Sequence, residues 1–206
     1  AAITSVRFCY FPMPDNQLYV ISCGADKSIM LRTTNNNSQD SQQQAQFVRQ
    51  SYVAEKQTFY DLQIDQTKNT IYTISQDRMV RLYSIKDGKR SRQFHGSLNQ
   101  DGYLIKMDLD RTGNLLATSC TDKCVYIWDL NTYECVAYFC GHSEIITDLK
   151  FTADSRYLIT VSVDGCIFYW KLSRQLLNIC SSNSTTTQSL SNSQQINNIT
   201  NNTINN

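Results

Sequence analysis

What the chain lacks narrows its chemistry first. Its 206 residues include only 2 prolines and 2 histidines. So little proline excludes a proline-rich linker or recognition arm. So little histidine leaves only His95 and His142 for general-base work near neutral pH, and His95, in RSRQFHG, has no Ser or Cys nucleophile at a suggestive spacing. There is no glycine-rich phosphate loop and no paired metal-ligand motif. No enzyme is expected, and no cofactor. No apolar stretch approaches the roughly 18 residues a membrane helix needs, so no membrane is expected as a partner. The 19 Lys and Arg nearly cancel the 18 Asp and Glu, leaving +1, so bulk charge does not point to nucleic acid. The chain opens at Ala1 inside a strand-like run, without an initiator Met or a signal peptide. That is the pattern expected of a piece excised from a longer protein.

Cysteine is the exception to this scarcity. Cys9, Cys23, Cys120, Cys124, Cys135, Cys140, Cys166 and Cys180 contain no C-x-x-C pair and no compact cluster with histidine, which argues against a zinc site. Several fall in apolar runs, such as ATSCTDKC and VDGCIFYW, where free cysteine behaves as a small buried hydrophobe. Reduced thiols in an intracellular protein, cytoplasmic or nuclear, are the expectation. Sequons at Asn36, Asn183, Asn198 and Asn201 lie in Asn/Ser-rich tracts where chance matches are common.

What is present in abundance is strand-like sequence, and it repeats. ISCGADKSIMLRT, TISQDRMVRLYSI, TSCTDKCVYIWDL and TVSVDGCIFYWKL share small residues, an Asp, then an alternating apolar run. The aspartates are Asp26, Asp77, Asp122 and Asp164, spaced 51, 45 and 42 residues apart. A unit of about 40–45 residues is the period of a propeller blade. The first interval is long because a polar insertion at 34–46 separates two strand-like runs; it offers nothing to bury and belongs on a loop. The clearest unit opens at Gly141-His142, alternates through IITDLKF, turns at DSR and continues as YLITVSV. Asp164-Gly165 then makes a tight turn into CIFYWKL. Four short antiparallel strands per unit, repeated radially, form a blade. An all-β partial propeller of about four four-stranded blades is therefore expected over 1–180. A Ser/Asn/Thr/Gln-rich tail over 181–206 carries no charged residue and should stay disordered.

Trp128-Asp129 and Gly141-His142, at this period, resemble the WD-repeat family. In that family a His, a Ser or Thr, the turn Asp and a Trp brace each blade. The resemblance maps this brace onto His142, Ser162, Asp164 and Trp170. Elsewhere it is partial: Asp122 and Trp128 with Cys120 at the hydroxyl position and Asn99-Gln100 at the His position, Asp77 with Tyr83 in place of Trp, and Asp26 alone. CGADKSIMLRT, DGYLIKMDLDRTGNLLATSCTDK, ECVAYFCGHSEIITDLKF and LITVSVDGCIFYWKLS are similar to a narrower scaffold group. It contains mitogen-activated protein kinase-binding protein and WD repeat-containing protein 62, and the match falls in the last blades of that group's second propeller. The resemblance implies protein partners, stress-kinase (JNK) signalling and a place at centrosomes and spindle poles. It also implies further blades outside this sequence. The alternative is a structural subunit of a cytoskeletal or ciliary assembly.

Two basic features invite a binding role. Lys27, Arg78 and Lys123 each follow a turn aspartate, with Gly165 at the fourth position. Because those turns share one face of a propeller, the three cations are candidates for docking acidic or phosphorylated segments. Solvated turn cations explain the same pattern without a partner. The run from Lys86 to Arg92 carries an Asp87-Gly88 hairpin signal. It reads as a charged outer edge that resists mispairing, with Ser91 as a candidate phosphorylation site.

Overall fold

The computed structural model describes residues 2–11, 17–34 and 47–181. Within these the chain builds four antiparallel sheets in succession. The first contains β1 (Ile3–Phe11), β2 (Gln17–Gly24), β3 (Ser28–Thr34) and β4 (Phe47–Ala54). The second contains β5 (Phe59–Asp65), β6 (Thr70–Ser75), β7 (Met79–Ser84) and β8 (Arg90–His95). The third contains β9 (Leu104–Leu109), β10 (Leu115–Cys120), β11 (Cys124–Asp129) and β12 (Glu134–Cys140). The fourth has three strands, β13 (Ile146–Phe151), β14 (Tyr157–Ser162) and β15 (Ile167–Lys171), followed by a helix, α1 (Arg174–Ser181). Strands follow sequence order in every sheet. The first strands β1, β5, β9 and β13 lie against one another, blade to blade. That is a propeller fan, and its described sheets do not close into a ring.

Two expectations change at the C-terminal side. A fourth strand in the last blade is replaced by α1. Ser173 Oγ accepts the Leu176 N–H at 3.4 Å as an N-cap, and Leu176 and Cys180, one turn apart, lie on the face that packs, with Leu172 just before the helix, against the third and fourth blades. Asn114 Nδ2 donates to the Ile179 carbonyl at 3.2 Å and ties the helix down. Ser181, placed in the tail from the sequence, is the last residue of α1; residues 182–206 lie outside the described residues, as do 35–46 of the polar insertion.

The core sits between blades, in three clusters. One joins blades one and two around Ile21, Leu31, Phe59 and Leu62. The next joins blades two and three around Ile74, Leu82, Leu104 and Met107. The last joins blades three and four around Leu115, Ile127, Leu149 and Leu158. A sheet packed on both sides needs apolar residues on both faces, so all six residues of β10 are buried. Each fully buried Leu or Ile contributes about 1.5–3 kcal/mol relative to exposure. At the two ends of the fan one face is uncovered: Ile3, Phe8 and Tyr10 on β1, and Val163, Ile167 and Tyr169 in blade four, are exposed.

Bulges recur in register. The pairing of each outermost strand slips at the same step, between Leu31/Arg32, Leu82/Tyr83 and Ile127/Trp128. Gln50, Ser91 and Val136 are therefore the extra residues. A bulge bends and twists an edge strand away from flat pairing. Ser91 Oγ donates to the Leu82 carbonyl at 3.3 Å from this position.

Candidate functional site

The fourth blade holds a complete polar chain, with one residue different from the expected set. Trp170 Nε1–H donates to Thr160 Oγ1 at 2.8 Å. Thr160 Oγ1 lies 2.8 Å from His142 Nε2, and His142 Nδ1 lies 2.9 Å from Asp164 Oδ2. The carboxylate can only accept, so Nδ1 carries the proton; in the neutral ring Nε2 then accepts from the threonine hydroxyl, whose oxygen accepts the indole N–H. Ser162, assigned this place from the sequence, does not touch His142. Its hydroxyl donates to the Glu144 carbonyl at 3.0 Å and accepts the Asp164 N–H at 3.3 Å. The reason is register. Leu158 stands opposite Trp170, and Thr160 opposite Phe168. Thr160 is thus the diagonal neighbour within reach of the indole, and Ser162 lies two residues beyond it. Phe168 stacks on the imidazole at 4.3 Å. Burial pushes the Asp164 carboxyl up, but hydrogen bonds from Cys166 N–H, His142 and Ser143 N–H outweigh it and hold the group at about 2.

The third blade corrects two more assignments. Trp128 Nε1–H donates to Thr118 Oγ1 at 3.1 Å, so Thr118 is the hydroxyl residue and Cys120 is not. The hydroxyl then donates to the Gly96 carbonyl at 2.6 Å. Gly96-Ser97 follows β8 as Gly141-His142 follows β12, so buried Ser97 occupies the His position, and Asn99-Gln100 does not. Asp122 takes its partner from the opposite side: Tyr126 Oη–H donates to it at 2.5 Å.

The second blade uses an arginine in the same way. Arg81 Nη1 donates to Asp77 Oδ1 at 3.0 Å, and Nη2 to Oδ2, while Nη1 also reaches Ser75 Oγ. Arg81, Tyr126 and Phe168 each lie four residues after the turn Asp, so one sheet position braces the Asp directly or packs the His that does. Tyr83, in the Trp position, sends its hydroxyl to Glu55 at 2.9 Å. In the first blade Asp26 accepts from Ser28 N–H and Oγ–H at 3.2 and 2.7 Å, and an exposed Arg32 stands in the Trp position.

The three rim cations share a conformation. Lys27, Arg78 and Lys123 have φ of 65°, 64° and 69°, and Gly165 78°, the left-handed turn that glycine adopts at least cost. Arg78 Nη1 donates to the Asn99 carbonyl at 2.6 Å. Lys123 Nζ donates to the Ser143 carbonyl at 2.5 Å and lies 3.6 Å from Glu144. Both therefore clasp the loop leading into the next blade, while the Lys27 side chain is exposed.

A further polar series runs along the first strands and was not anticipated. Buried Asp61 accepts the Met107 N–H at 3.3 Å and faces Arg7 at 3.5 Å and Lys106 at 4.0 Å. Asp108 accepts from Phe151 N–H at 2.9 Å, Gln63 Nε2 at 3.0 Å and Lys150 Nζ at 2.5 Å. Burial pushes the Asp108 carboxyl up, and Lys150 only partly offsets it. Each of these carboxylates bonds a backbone N–H of the next blade, which fixes blade-to-blade register. Strand pairing within a blade carries no signal of it.

The cysteines also need a correction. Cys124 and Cys140 are not free thiols but are disulfide-bonded, because they are register partners on β11 and β12 with Cα atoms 4.4 Å apart. Cys9, Cys23, Cys120, Cys135, Cys166 and Cys180 are free. Among the described residues no three His, Cys, Asp or Glu side chains gather as a metal site, and no helix is long and apolar enough to cross a membrane.

Radial four-stranded sheets with a Trp–Thr–His–Asp brace define a WD-repeat protein, a class that generally serves protein interaction. The WD domain, G-beta repeat, matches residues 88–129 and 133–171. The chain is 44% identical over 178 residues to WD repeat-containing protein 62 of Sus scrofa, covering 86% of this chain and 11% of that protein. It is 43% identical over 176 residues to mitogen-activated protein kinase-binding protein 1 of Homo sapiens, covering 85% and 11%. Cilia- and flagella-associated protein 52 of Homo sapiens is 34% identical over 101 residues, covering 49% and 16%. The chain thus spans about a tenth of the length of the first two relatives.

Proposed function

We propose that these blades supply part of the docking surface of a scaffold for mitogen-activated protein kinase signalling, JNK included. On this reading the scaffold acts in the cytoplasm, at the centrosome and spindle pole, and further blades of a longer protein cover the two open faces of the fan. The observation that carries the proposal is identity of 43% across 85% of the chain to a protein named for binding such a kinase. The rim suits docking chemically: its turns share one left-handed conformation, and Lys27 is exposed on it while Arg78 and Lys123 are half-buried. Acidic or phosphorylated segments are the complementary partners.

Proximity labelling by the intact protein in dividing cells tests this. Enrichment of kinase-pathway and centrosomal proteins, reduced by Lys27→Glu, is expected. A second reading, a spacer in a ciliary assembly, draws on the match to cilia- and flagella-associated protein 52 over 49% of the chain. Labelling confined to axonemal proteins would refute the first reading in favour of the second.

A further inference from the structure

We propose that Cys124 and Cys140 form a reversible thiol–disulfide exchange site for small disulfides of the glutathione class, whose closure tightens the junction between the third and fourth blades. The pair is preorganised. A Cα separation of 4.4 Å matches a non-hydrogen-bonded antiparallel pair, in which side chains stand face to face. The two sulfurs are thus in reach of each other whether or not they are bonded, and closure needs no strand movement. The pair is also accessible: Cys140 is exposed and Cys124 half-buried.

The remaining cysteines lack one property or the other. Burial pushes the Cys9 and Cys23 thiols up to about 11 and Cys180 up to about 12, and raises Cys120 and Cys135 as well. The thiolate is the attacking species, so these five are poor nucleophiles. Cys166 is exposed, but Ser162 stands across the hairpin from it and offers no second sulfur.

Position gives the pair a consequence. Cys124 follows Lys123, and Cys140 precedes Gly141-His142. Lys123 Nζ already holds the Ser143 carbonyl at 2.5 Å. The cross-link therefore fixes the backbone at both ends of that clasp, and with it the approach of His142 to Asp164. Blades one and two have Ser28 opposite Ala54 and Met79 opposite His95 at this step, so only the third blade can be stapled.

The exchange balances as follows. The Cys140 thiolate attacks one sulfur of the external disulfide, breaking its S–S bond and expelling one thiolate. The Cys124 thiolate then attacks the Cys140 sulfur of the mixed disulfide and expels the second. Two protein thiols are oxidised, one external disulfide is reduced to two thiols, and the displaced protons pass to the expelled thiolates.

The test equilibrates the intact protein in reduced and oxidised glutathione, quenches with acid and maps thiols by differential alkylation and mass spectrometry. The Cys124–Cys140 peptide should appear in oxidised glutathione and disappear on return to the reduced form. Hydrogen exchange at Gly141–Glu144 should be about tenfold slower in the linked state. Cys124→Ser should leave a lasting glutathione adduct on Cys140, which the wild type carries only transiently. A pair that stays unlinked in oxidised glutathione, or linked in reduced glutathione, overturns the proposal. So does an adduct level equal in variant and wild type, or exchange at 141–144 that ignores redox state.

Discussion

Replacing Thr160 with valine keeps the shape of the side chain and removes the one oxygen on which the fourth-blade brace turns. Two hydrogen bonds end there, from the Trp170 indole and to His142 Nε2, each 2.8 Å. The His142 side chain has no solvent exposure, so its orphaned nitrogen carries a full desolvation penalty of about 1–3 kcal/mol. Trp170 is half-buried, and losing its acceptor adds about 1 kcal/mol. The expected total is about 2–4 kcal/mol. Thr160→Ser separates the hydroxyl from the methyl: it keeps the chain and loses about 1 kcal/mol of apolar burial. Ser162→Ala removes a hydroxyl that bonds only the Glu144 carbonyl and the Asp164 N–H, at a half-buried site where water can replace it, and should cost under about 1 kcal/mol. The assay is urea unfolding followed by circular dichroism, comparing midpoints at unchanged m-value. Thr160→Val within about 0.5 kcal/mol of wild type, or Ser162→Ala as damaging as Thr160→Val, would refute the assignment of Thr160.

Three further outcomes follow from other sites. In blade two, a double-mutant cycle of Arg81→Met with Asp77→Asn should give a coupling of about 1–2 kcal/mol, because the pair is bidentate and Arg81 nearly buried; coupling below about 0.3 kcal/mol would show the pair to be incidental. Asp164 titrates at about 2 in the fold, below its unfolded value. Its stabilising contribution is therefore present above about pH 4 and lost as pH falls towards about 2. Asp164→Asn should flatten the acid limb of a stability–pH curve, and an unchanged limb would count against the brace. Gly113 and Gly165 both have positive φ, but a Cβ at Gly113 would stand 2.5 Å from Asp65 Oδ2 of the neighbouring blade, whereas at Gly165 it meets nothing within 4 Å. Gly165→Ala should cost about 1 kcal/mol and Gly113→Ala at least about 1 kcal/mol more, read from the same urea curves; equal losses would remove the steric argument.

The repeat was legible because its punctuation is local: an Asp turn, then an alternating strand, at a near-constant interval. His142, Asp164 and Trp170 were legible for the same reason. Thr160 and Thr118 were not, because the hydroxyl that meets a Trp is set by cross-strand register. Counting outward from the Asp164-Gly165 turn would have recovered it, since Val161 pairs with Ile167. Arg81 and Tyr126 looked like ordinary strand residues, and only the structure shows them turning back onto Asp77 and Asp122. RQLLNIC reads from the sequence as a last strand or a short exit segment, and it is a helix because Ser173 caps it and its apolar residues pack one turn apart. The Cys124–Cys140 pairing, sixteen residues apart, again depends on register. The carboxylates Asp61 and Asp108 act between blades, at a range no repeat pattern encodes.

Because the cores lie between sheets, stability in this fold is counted by interfaces and not by blades. Four described sheets in an open fan share three cores, as links share joints in an open chain. Joining the ends would add a joint without adding a link, so the stabilisation per blade rises at the moment of closure. Until then the terminal sheets, each secured on one side only, are the ones that loosen first. Their uncovered tyrosines and isoleucines are the unspent half of an interface.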